Sequence, residues 1–114
     1  MTIFSTINPT TGKLLKTYNT LSEDVLEAKI TRSQTAFTSW RETSVSDRTK
    51  LLLNIADILT KKRLELAQLM TDEMGKRKVE GLAEIDKCVL VCRYYADQAQ
   101  SQLKDQLVQT EATK

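Results

Sequence analysis

The 114-residue sequence contains no histidine, one proline and three glycines. Without histidine, the chain lacks the commonest general base of enzymes and the commonest metal ligand of proteins. The scarcity of proline and glycine favours long helices and few turns. It also excludes a phosphate-binding loop, because Gly75 and Gly81 do not form a glycine-rich turn between a strand and a helix. The sequence therefore predicts no catalytic residue and no cofactor-binding residue.

The chain also has little net charge and no long apolar run. Its 17 basic and 15 acidic residues are interleaved and leave a net charge of +2, which predicts no binding to nucleic acid or to an anionic membrane. The longest aliphatic run, residues 51–53, is far too short to cross a bilayer. Residues 1–5 have neither the basic nor the apolar region of a signal peptide. We therefore expect a cytoplasmic protein.

Two cysteines, Cys88 and Cys92, are four residues apart on a predicted helix. A disulfide between them would constrain very little of the chain. A cysteine pair without histidine or further cysteines does not make a credible zinc site. We expect both to be small core residues in a reducing compartment, because free cysteines are usually buried and inert.

The N-terminal part of the sequence predicts a β-hairpin over residues 3–18. Residues 3–7 are rich in β-branched and aromatic side chains, and residues 8–12, NPTTG, form a cluster of turn-forming residues. Residues 13–18 then alternate loosely, as in a second strand. Because an isolated hairpin is only marginally stable, we expect it to lie on another element.

Residues 21–104 predict about four helices. The first helix begins with a capping box of Thr20 and Glu23, with Ser22 as the alternative cap. Its residues recur at helical spacing in one stripe, which we expect to face a core. The stripe consists of Leu26, Ile30, Ser33, Phe37 and Trp40.

The second helix begins at Ser44, which has Asp47 three residues later in capping-box spacing. The polar residues 60–63 mark a join or a bend. A third helix then spans residues 64–74, and Gly75 is placed to end it in the left-handed conformation. The inward-facing residues of these two helices are expected to be Leu51, Leu52, Ile55, Ile58, Leu59, Leu66, Ala67, Leu69 and Met70.

The last helix is predicted over residues 79–104. Apolar residues recur along it at alternating spacings of three and four, the pattern of a coiled-coil seam. Residues 105–114 are polar apart from Leu107 and Val108, and we expect them to be either a tail or the start of a lost linking strand. The chain thus reads as a single partial domain over residues 1–114, mainly α with a short N-terminal hairpin. The seam residues are Leu82, Ile85, Val89, Cys92, Ala96, Ala99 and Leu103, and the apolar residues off the seam are Leu90, Val91, Tyr94 and Tyr95.

The acidic residues Glu80 and Glu84 are one helical turn apart and could converge on a substrate. The basic residues 76–78 lie nearby, so an exposed face of ion pairs is the preferred interpretation. The basic clusters at residues 61–63 and 76–78 lie near helix ends, where they compensate the carbonyl groups and form a solvated surface.

Several short stretches occur in an order that points to one family. They are Asn8–Gly12, Phe37–Arg41, Ser46–Arg48, Thr71–Lys76, Glu80 with Glu84 and Ile85, and Arg93–Ala96. Taken together, this series resembles the N-terminal region of the NAD(P)-dependent aldehyde dehydrogenase superfamily. The sequence Glu-Met-Gly-Lys at residues 73–76, with the later Glu and Ile, most resembles the succinate-semialdehyde branch.

The resemblance implies an incomplete piece of an α/β dehydrogenase fold from a longer enzyme that oxidises an aldehyde with NAD or NADP. In that family the catalytic cysteine, the general-base glutamate and the cofactor-binding loop come after the point where this sequence ends. The resemblance also implies that Ala83 and Lys87 face the substrate entrance. It further implies that Thr6, Ile7 and Glu73 hold a monovalent cation, since carbonyl groups and a carboxylate suit a hard ion.

Three hypotheses follow for the present role of the chain. It is a truncated aldehyde dehydrogenase that binds no cofactor and catalyses nothing alone, with an exposed apolar patch that causes self-association or low stability. Alternatively, it is a helical interaction module that docks on full-length dehydrogenase subunits. A third hypothesis is that it becomes active with a separately encoded remainder.

Overall fold

The computed structural model describes residues 3–111, which form one β-hairpin and four helices. The elements are β1 (Ile3–Ile7), β2 (Leu14–Asn19), α1 (Glu23–Trp40), α2 (Val45–Lys61), α3 (Arg63–Met74) and α4 (Lys78–Gln102). This confirms the predicted mainly α class with an N-terminal hairpin. The expected tail has no regular structure up to residue 111. The remaining residues of the expected partial domain, 1–2 and 112–114, lie outside the described part of the chain.

The hairpin pairs β1 and β2 in antiparallel register. Asn8 organises its turn, because its side-chain oxygen accepts hydrogen bonds from the backbone N–H groups of Thr10 and Thr11 at 2.9 and 3.0 Å. Gly12 completes the turn with a φ of +69°, which a residue with a Cβ rarely adopts. On one face of the hairpin, the rings of Phe4 and Tyr18 stack with their centroids 5.1 Å apart.

The core of the described structure lies where α2 and α3 pack against α4. Only three apolar side chains are buried in the described part of the chain: Ala56 from α2, Ala67 from α3 and Ile85 from α4. The closest approach is at Gly81, where an added Cβ would lie 3.2 Å from the carbonyl oxygen of Ala67 and 3.3 Å from its Cα. Glycine at this position therefore lets α3 and α4 approach at backbone distance.

The seam predicted along α4 is confirmed over most of its length. From Leu82 to Ala99 every seam residue is buried or half-buried, whereas Leu103 is exposed. The off-seam side chains are exposed, and Leu90 retains 68% of its accessible surface. The inward stripe predicted for α2 is shifted, because Ala56 is fully buried whereas Ile55 and Ile58 are exposed. In α3, Leu66 and Met70 are half-buried around the buried Ala67, and Leu69 is exposed.

The expectation that the apolar stripe of α1 faces a core is wrong for this chain. No residue of α1 is buried, and Phe37 and Trp40 remain 53% and 46% exposed. The physical reason is that, within the described residues, α1 reaches the helical core mainly through its C-terminal end. There, the guanidinium Nη2 of Arg48 donates hydrogen bonds to the carbonyl oxygens of Trp40 (3.1 Å) and Arg41 (2.9 Å) and lies over the indole ring.

The helix ends follow the sequence signals with one exception. Ser44 caps α2, since its hydroxyl oxygen accepts a hydrogen bond from the backbone N–H of Asp47 at 3.1 Å. The cap of α1 is Ser22 and not Thr20, and the Ser22 side chain makes no capping hydrogen bond. Gly75 ends α3 in the left-handed conformation with a φ of +68°, as predicted.

The molecule is extended. Its Cα radius of gyration is 20.6 Å, against about 13 Å for a compact domain of this length. Its accessible surface is 9,883 Å², which exceeds by about 3,600 Å² the area typical of a folded monomer of this mass. No helix within residues 3–111 has both the length and the apolar character needed to cross a membrane.

Candidate functional site

A concave surface follows one side of α4. It is an open groove of about 640 Å³ formed by side chains from three successive turns of this helix. Both residues expected at a substrate entrance, Ala83 and Lys87, line this groove. The sequence reasoning missed its other members. Glu84 and Val91 lie three and four residues from Lys87, and Cys88 and Cys92 follow Glu84 at successive spacings of four, which place side chains on the same side of a helix. The lining residues are Ala83, Glu84, Lys87, Cys88, Val91 and Cys92.

The two cysteines in the groove correct one expectation. Cys88 is exposed and Cys92 is half-buried, and both are free thiols. The expectation of two small core residues is therefore wrong for Cys88. The seam of α4 covers Cys92 only in part, and Cys88 lies one turn earlier on the side that faces the groove.

The carboxylates at the start of α4 neutralise the basic turn that precedes it. Lys76 forms an ion pair with Glu84, and Arg77 lies 3.7 Å from Glu80. This confirms the expected face of ion pairs. Because Lys76 is its partner, Glu84 lines the groove as one half of an ion pair.

A second, smaller groove of about 360 Å³ lies on another side of α4 and is lined by Thr60, Asp86, Val89, Leu90 and Arg93. Its charged members also have partners. Arg63 donates two hydrogen bonds of 2.6 Å to the carboxylate of Asp86, and this pairing lowers the pKa of Asp86 and raises that of Arg63. Arg93 lies 3.6 Å from Asp57 of α2. These ion pairs link α4 to α3 and to α2. Because the guanidinium of Arg63 pairs with Asp86, it does not compensate the carbonyl groups at the C-terminus of α2.

The residues expected to hold a monovalent cation lie on β1 and in the last turn of α3. The hydroxyl of Thr6 is buried and has no hydrogen-bond partner, Ile7 pairs with Leu14 in the hairpin, and Glu73 is half-buried. The end of α3 meets the hairpin turn, because an added Cβ at Gly75 would lie 3.1 Å from the ring of Pro9. An unpartnered hydroxyl oxygen is a suitable ligand for a hard cation, so Thr6 offers one donor atom that fits such an ion.

The described residues hold few of the elements that dehydrogenase chemistry needs. Within residues 3–111, no group of three or more His, Cys, Asp or Glu side chains could hold a metal ion. The sheet in this part of the chain consists of the hairpin, so it offers no parallel strand followed by a helix on which a dinucleotide could bind. The arrangement can supply a charged, partly apolar groove and large apolar faces for packing.

Comparison with known proteins identifies the family. The sequence model described as the aldehyde dehydrogenase family matches residues 1–114. A protein of Synechocystis sp. that is named as a probable succinate-semialdehyde dehydrogenase (NADP+) is 43% identical over 96% of this chain. A succinate-semialdehyde dehydrogenase (NADP+) of Mycobacterium tuberculosis is 37% identical over 90% of this chain.

Solved structures agree with the sequence comparison. The succinic semialdehyde dehydrogenase of Streptococcus pyogenes, in complex with NADP+, superposes with a TM-score of 0.88 at 30% identity and covers 95% of this chain. A structure of Gox0499 superposes with a TM-score of 0.92 at 24% identity over 99% of this chain, which shows the same fold. The chain spans about a quarter of the length of these relatives: 24% of the Synechocystis protein, 22% of the Mycobacterium protein, 24% of the Streptococcus chain and 25% of the Gox0499 chain.

Proposed function

Since the chain belongs to the aldehyde dehydrogenase family, we propose that it is the N-terminal segment of a succinate-semialdehyde dehydrogenase, without catalytic activity of its own. The observation that carries the proposal is the match over 96% of this chain to 24% of a relative with that name. The absence of histidine and of a glycine-rich strand–loop–helix in the sequence supports the second part. The free thiols suit a reducing compartment, and we place the protein in the cytoplasm.

In the complete enzyme, NADP+ would accept the hydride that the aldehyde loses, as the names of the relatives suggest. Residues of the remaining three quarters would bind this cofactor and carry the reacting groups. The 114 residues would contribute packing surfaces and one wall of the route to the active site. The alternating seam of α4 and its exposed off-seam face support this role, since one side is buried within the chain and the other is left for a further layer.

The groove on α4 is the part of this chain that we assign to the substrate entrance. Ala83 supplies a small side chain, and Lys87 one turn later supplies a positive charge. Succinate semialdehyde carries a carboxylate, so an ammonium group beside its path would raise its local concentration. Lys76 and Glu84 neutralise each other nearby, which leaves Lys87 as the charge in this groove that would act on the substrate.

The decisive experiment reconstitutes the enzyme from two chains. The 114-residue chain is mixed with the separately produced remainder of the Synechocystis relative, and NADPH formation is followed with succinate semialdehyde. We expect no activity from the 114-residue chain alone and activity from the mixture. Turnover by the chain alone would refute the proposal. Activity of the mixture would also support the hypothesis of a separately encoded remainder.

The reconstituted enzyme then tests the assignment of Lys87. Lys87→Ala should raise KM for succinate semialdehyde several-fold and leave KM for a neutral aldehyde of similar length unchanged, because only the former is attracted by the charge. Lys13→Ala, in the hairpin, is the matched control for loss of one lysine. Equal effects on both aldehydes would show that Lys87 does not select the anionic substrate.

We also assign Thr6, Ile7 and Glu73 to a monovalent cation in the complete enzyme. The buried Thr6 hydroxyl without a partner supports this assignment. Thermal unfolding of the reconstituted enzyme should occur at a higher temperature in potassium or sodium chloride than in choline chloride at equal ionic strength, because an ion bound only by the folded state stabilises it. Thr6→Val should remove that difference, and its persistence in this variant would exclude the Thr6 hydroxyl as a ligand.

The alternative function is docking on full-length dehydrogenase subunits, or self-association. The exposed stripe of α1 and the off-seam face of α4 favour it, since monomers rarely expose such large apolar areas. Sedimentation of the chain alone and with an intact relative distinguishes the two partners. Leu90→Lys should weaken either association, whereas Gln100→Lys, an exposed polar control on the same helix, should not. If the chain sediments as a monomer and does not bind the intact subunit, both self-association and docking are excluded.

A further inference from the structure

The helix α4 carries two free thiols on successive turns of the same side. Cys88 is exposed, Cys92 is half-buried, and both line the groove of about 640 Å³. Side chains four residues apart on a helix are neighbours, with their Cβ atoms about 5–6 Å apart. The two sulfur atoms can therefore approach a common ligand from adjacent turns without any change in the helix.

We propose that Cys88 and Cys92 form a two-thiolate site for a soft monovalent metal ion of the copper(I) and silver(I) class. Thiolates are soft ligands and select such ions over magnesium or calcium. Within residues 3–111, no cluster of three or more metal-ligating side chains occurs, and Glu84, the third donor in the groove, is paired with Lys76. The groove therefore lacks the four ligands that zinc takes, whereas copper(I) and silver(I) accept two sulfur ligands in a linear arrangement.

The binding reaction conserves protons and charge. Each thiol releases one proton to the buffer as its sulfur bonds to the ion, because the thiolate is the ligand. Two metal–sulfur bonds form, and no electron is transferred. The complex of two thiolates with a monovalent cation carries one negative charge. Lys87 lines the same groove, and its positive charge offsets that of the complex.

Silver(I) is the probe, since it does not change oxidation state in air. Titration of the reduced 114-residue chain, followed by native mass spectrometry and calorimetry, should show one silver ion per chain. One equivalent should also protect both cysteines from a thiol-specific reagent. Cys88→Ser and Cys92→Ser should each weaken binding by about a hundredfold, because the second sulfur of a chelating pair acts at high effective concentration.

A displaced pair is the matched control. The double variant Leu90→Cys with Cys92→Ser keeps two thiols but separates them by two residues, so that they do not face each other. Leu90 is exposed, so this change should leave the helices intact, and circular dichroism verifies this. We expect the displaced pair to bind as weakly as the single variants. Equal affinity in the displaced pair, two ions per chain, or one ion bridging two chains would each overturn the proposal.

Discussion

The contact between Gly75 and the hairpin turn gives the sharpest test of how the hairpin is held to the helices. The change is Gly75→Ala. Gly75 ends α3 with a φ of +68°, and an added Cβ would lie 3.1 Å from Cγ of Pro9 and 3.9 Å from its Cβ. Ordinary Cβ contacts lie at 3.4–4 Å, so alanine both adopts an unfavourable backbone conformation and presses on the proline ring.

The expected loss of stability has three parts. A residue with a Cβ in the left-handed region costs about 1–2 kcal/mol. Alanine restricts the unfolded chain more than glycine does, which offsets about 0.4–1 kcal/mol. The short contact with Pro9 adds about 1 kcal/mol, the low end of the cost of overpacking, since the ring can shift by a few tenths of an ångström. We expect a net loss of about 1–2.6 kcal/mol.

Urea denaturation followed by helical circular dichroism measures this loss in Gly75→Ala, in Pro9→Ala and in the double variant. Pro9→Ala removes the ring, so the double variant should recover about 1 kcal/mol relative to the sum of the single effects. Gly12→Ala is a reference for the backbone term, because Gly12 has a φ of +69° and nothing within 4 Å of an added Cβ. Coupling below about 0.3 kcal/mol would show that the end of α3 and the hairpin turn do not touch in solution.

Three further outcomes follow from other contacts. Ser44→Ala should destabilise α2 by about 1 kcal/mol in urea denaturation, whereas Ser22→Ala should have little effect, because only the former side chain makes a capping hydrogen bond. Arg48→Ala should free the end of α1 and lower the fluorescence anisotropy of the single tryptophan, and a lysine at this position should not restore it, since the guanidinium spans two carbonyl oxygens. The pKa of Asp86 is lowered by its hydrogen bonds from Arg63, so its stabilising effect is complete above the unfolded pKa of about 3.9 and is lost as the pH falls through the lower folded value. Asp86→Asn should therefore reduce the acid sensitivity of unfolding below about pH 4, and an unchanged pH profile would contradict this.

Local signals made much of the fold predictable from the sequence. The Asn8 turn, the Ser44 cap and the Gly75 helix end are each fixed by one residue whose chemistry acts on its immediate neighbours. The seam of α4 was also predictable, because spacings of three and four describe one side of a helix without reference to any partner. Ala83 and Lys87 were expected from the family resemblance, and helical periodicity alone would have added Glu84 and Val91, which lie three and four residues from Lys87.

Contacts between elements were not predictable in the same way. The approach of Gly81 to Ala67 depends on the crossing of two helices, and nothing in either local sequence states which helix the glycine will meet. Arg48 lies near the start of α2, yet its side chain donates hydrogen bonds to the carbonyl oxygens at the C-terminal end of α1. Cys88 was assigned to the core on the general burial of cysteine, but its position off the seam of α4 decides its exposure.

The stripe of α1 shows what such a pattern does and does not specify. An apolar stripe indicates which side of a helix a partner will cover, but the partner itself is not encoded in the stripe. The seam of α4 finds its partners in α2 and α3, whereas Phe37 and Trp40 remain about half exposed. The chain exposes about 3,600 Å² more than a compact monomer of its mass. Part of this excess belongs to residues 103–111, which have no regular structure. The rest includes the apolar side chains of α1 and of the off-seam side of α4, which no element of the described structure covers. A stripe thus fixes the side of a helix that needs a partner, and the partner must come from outside the stripe's own element.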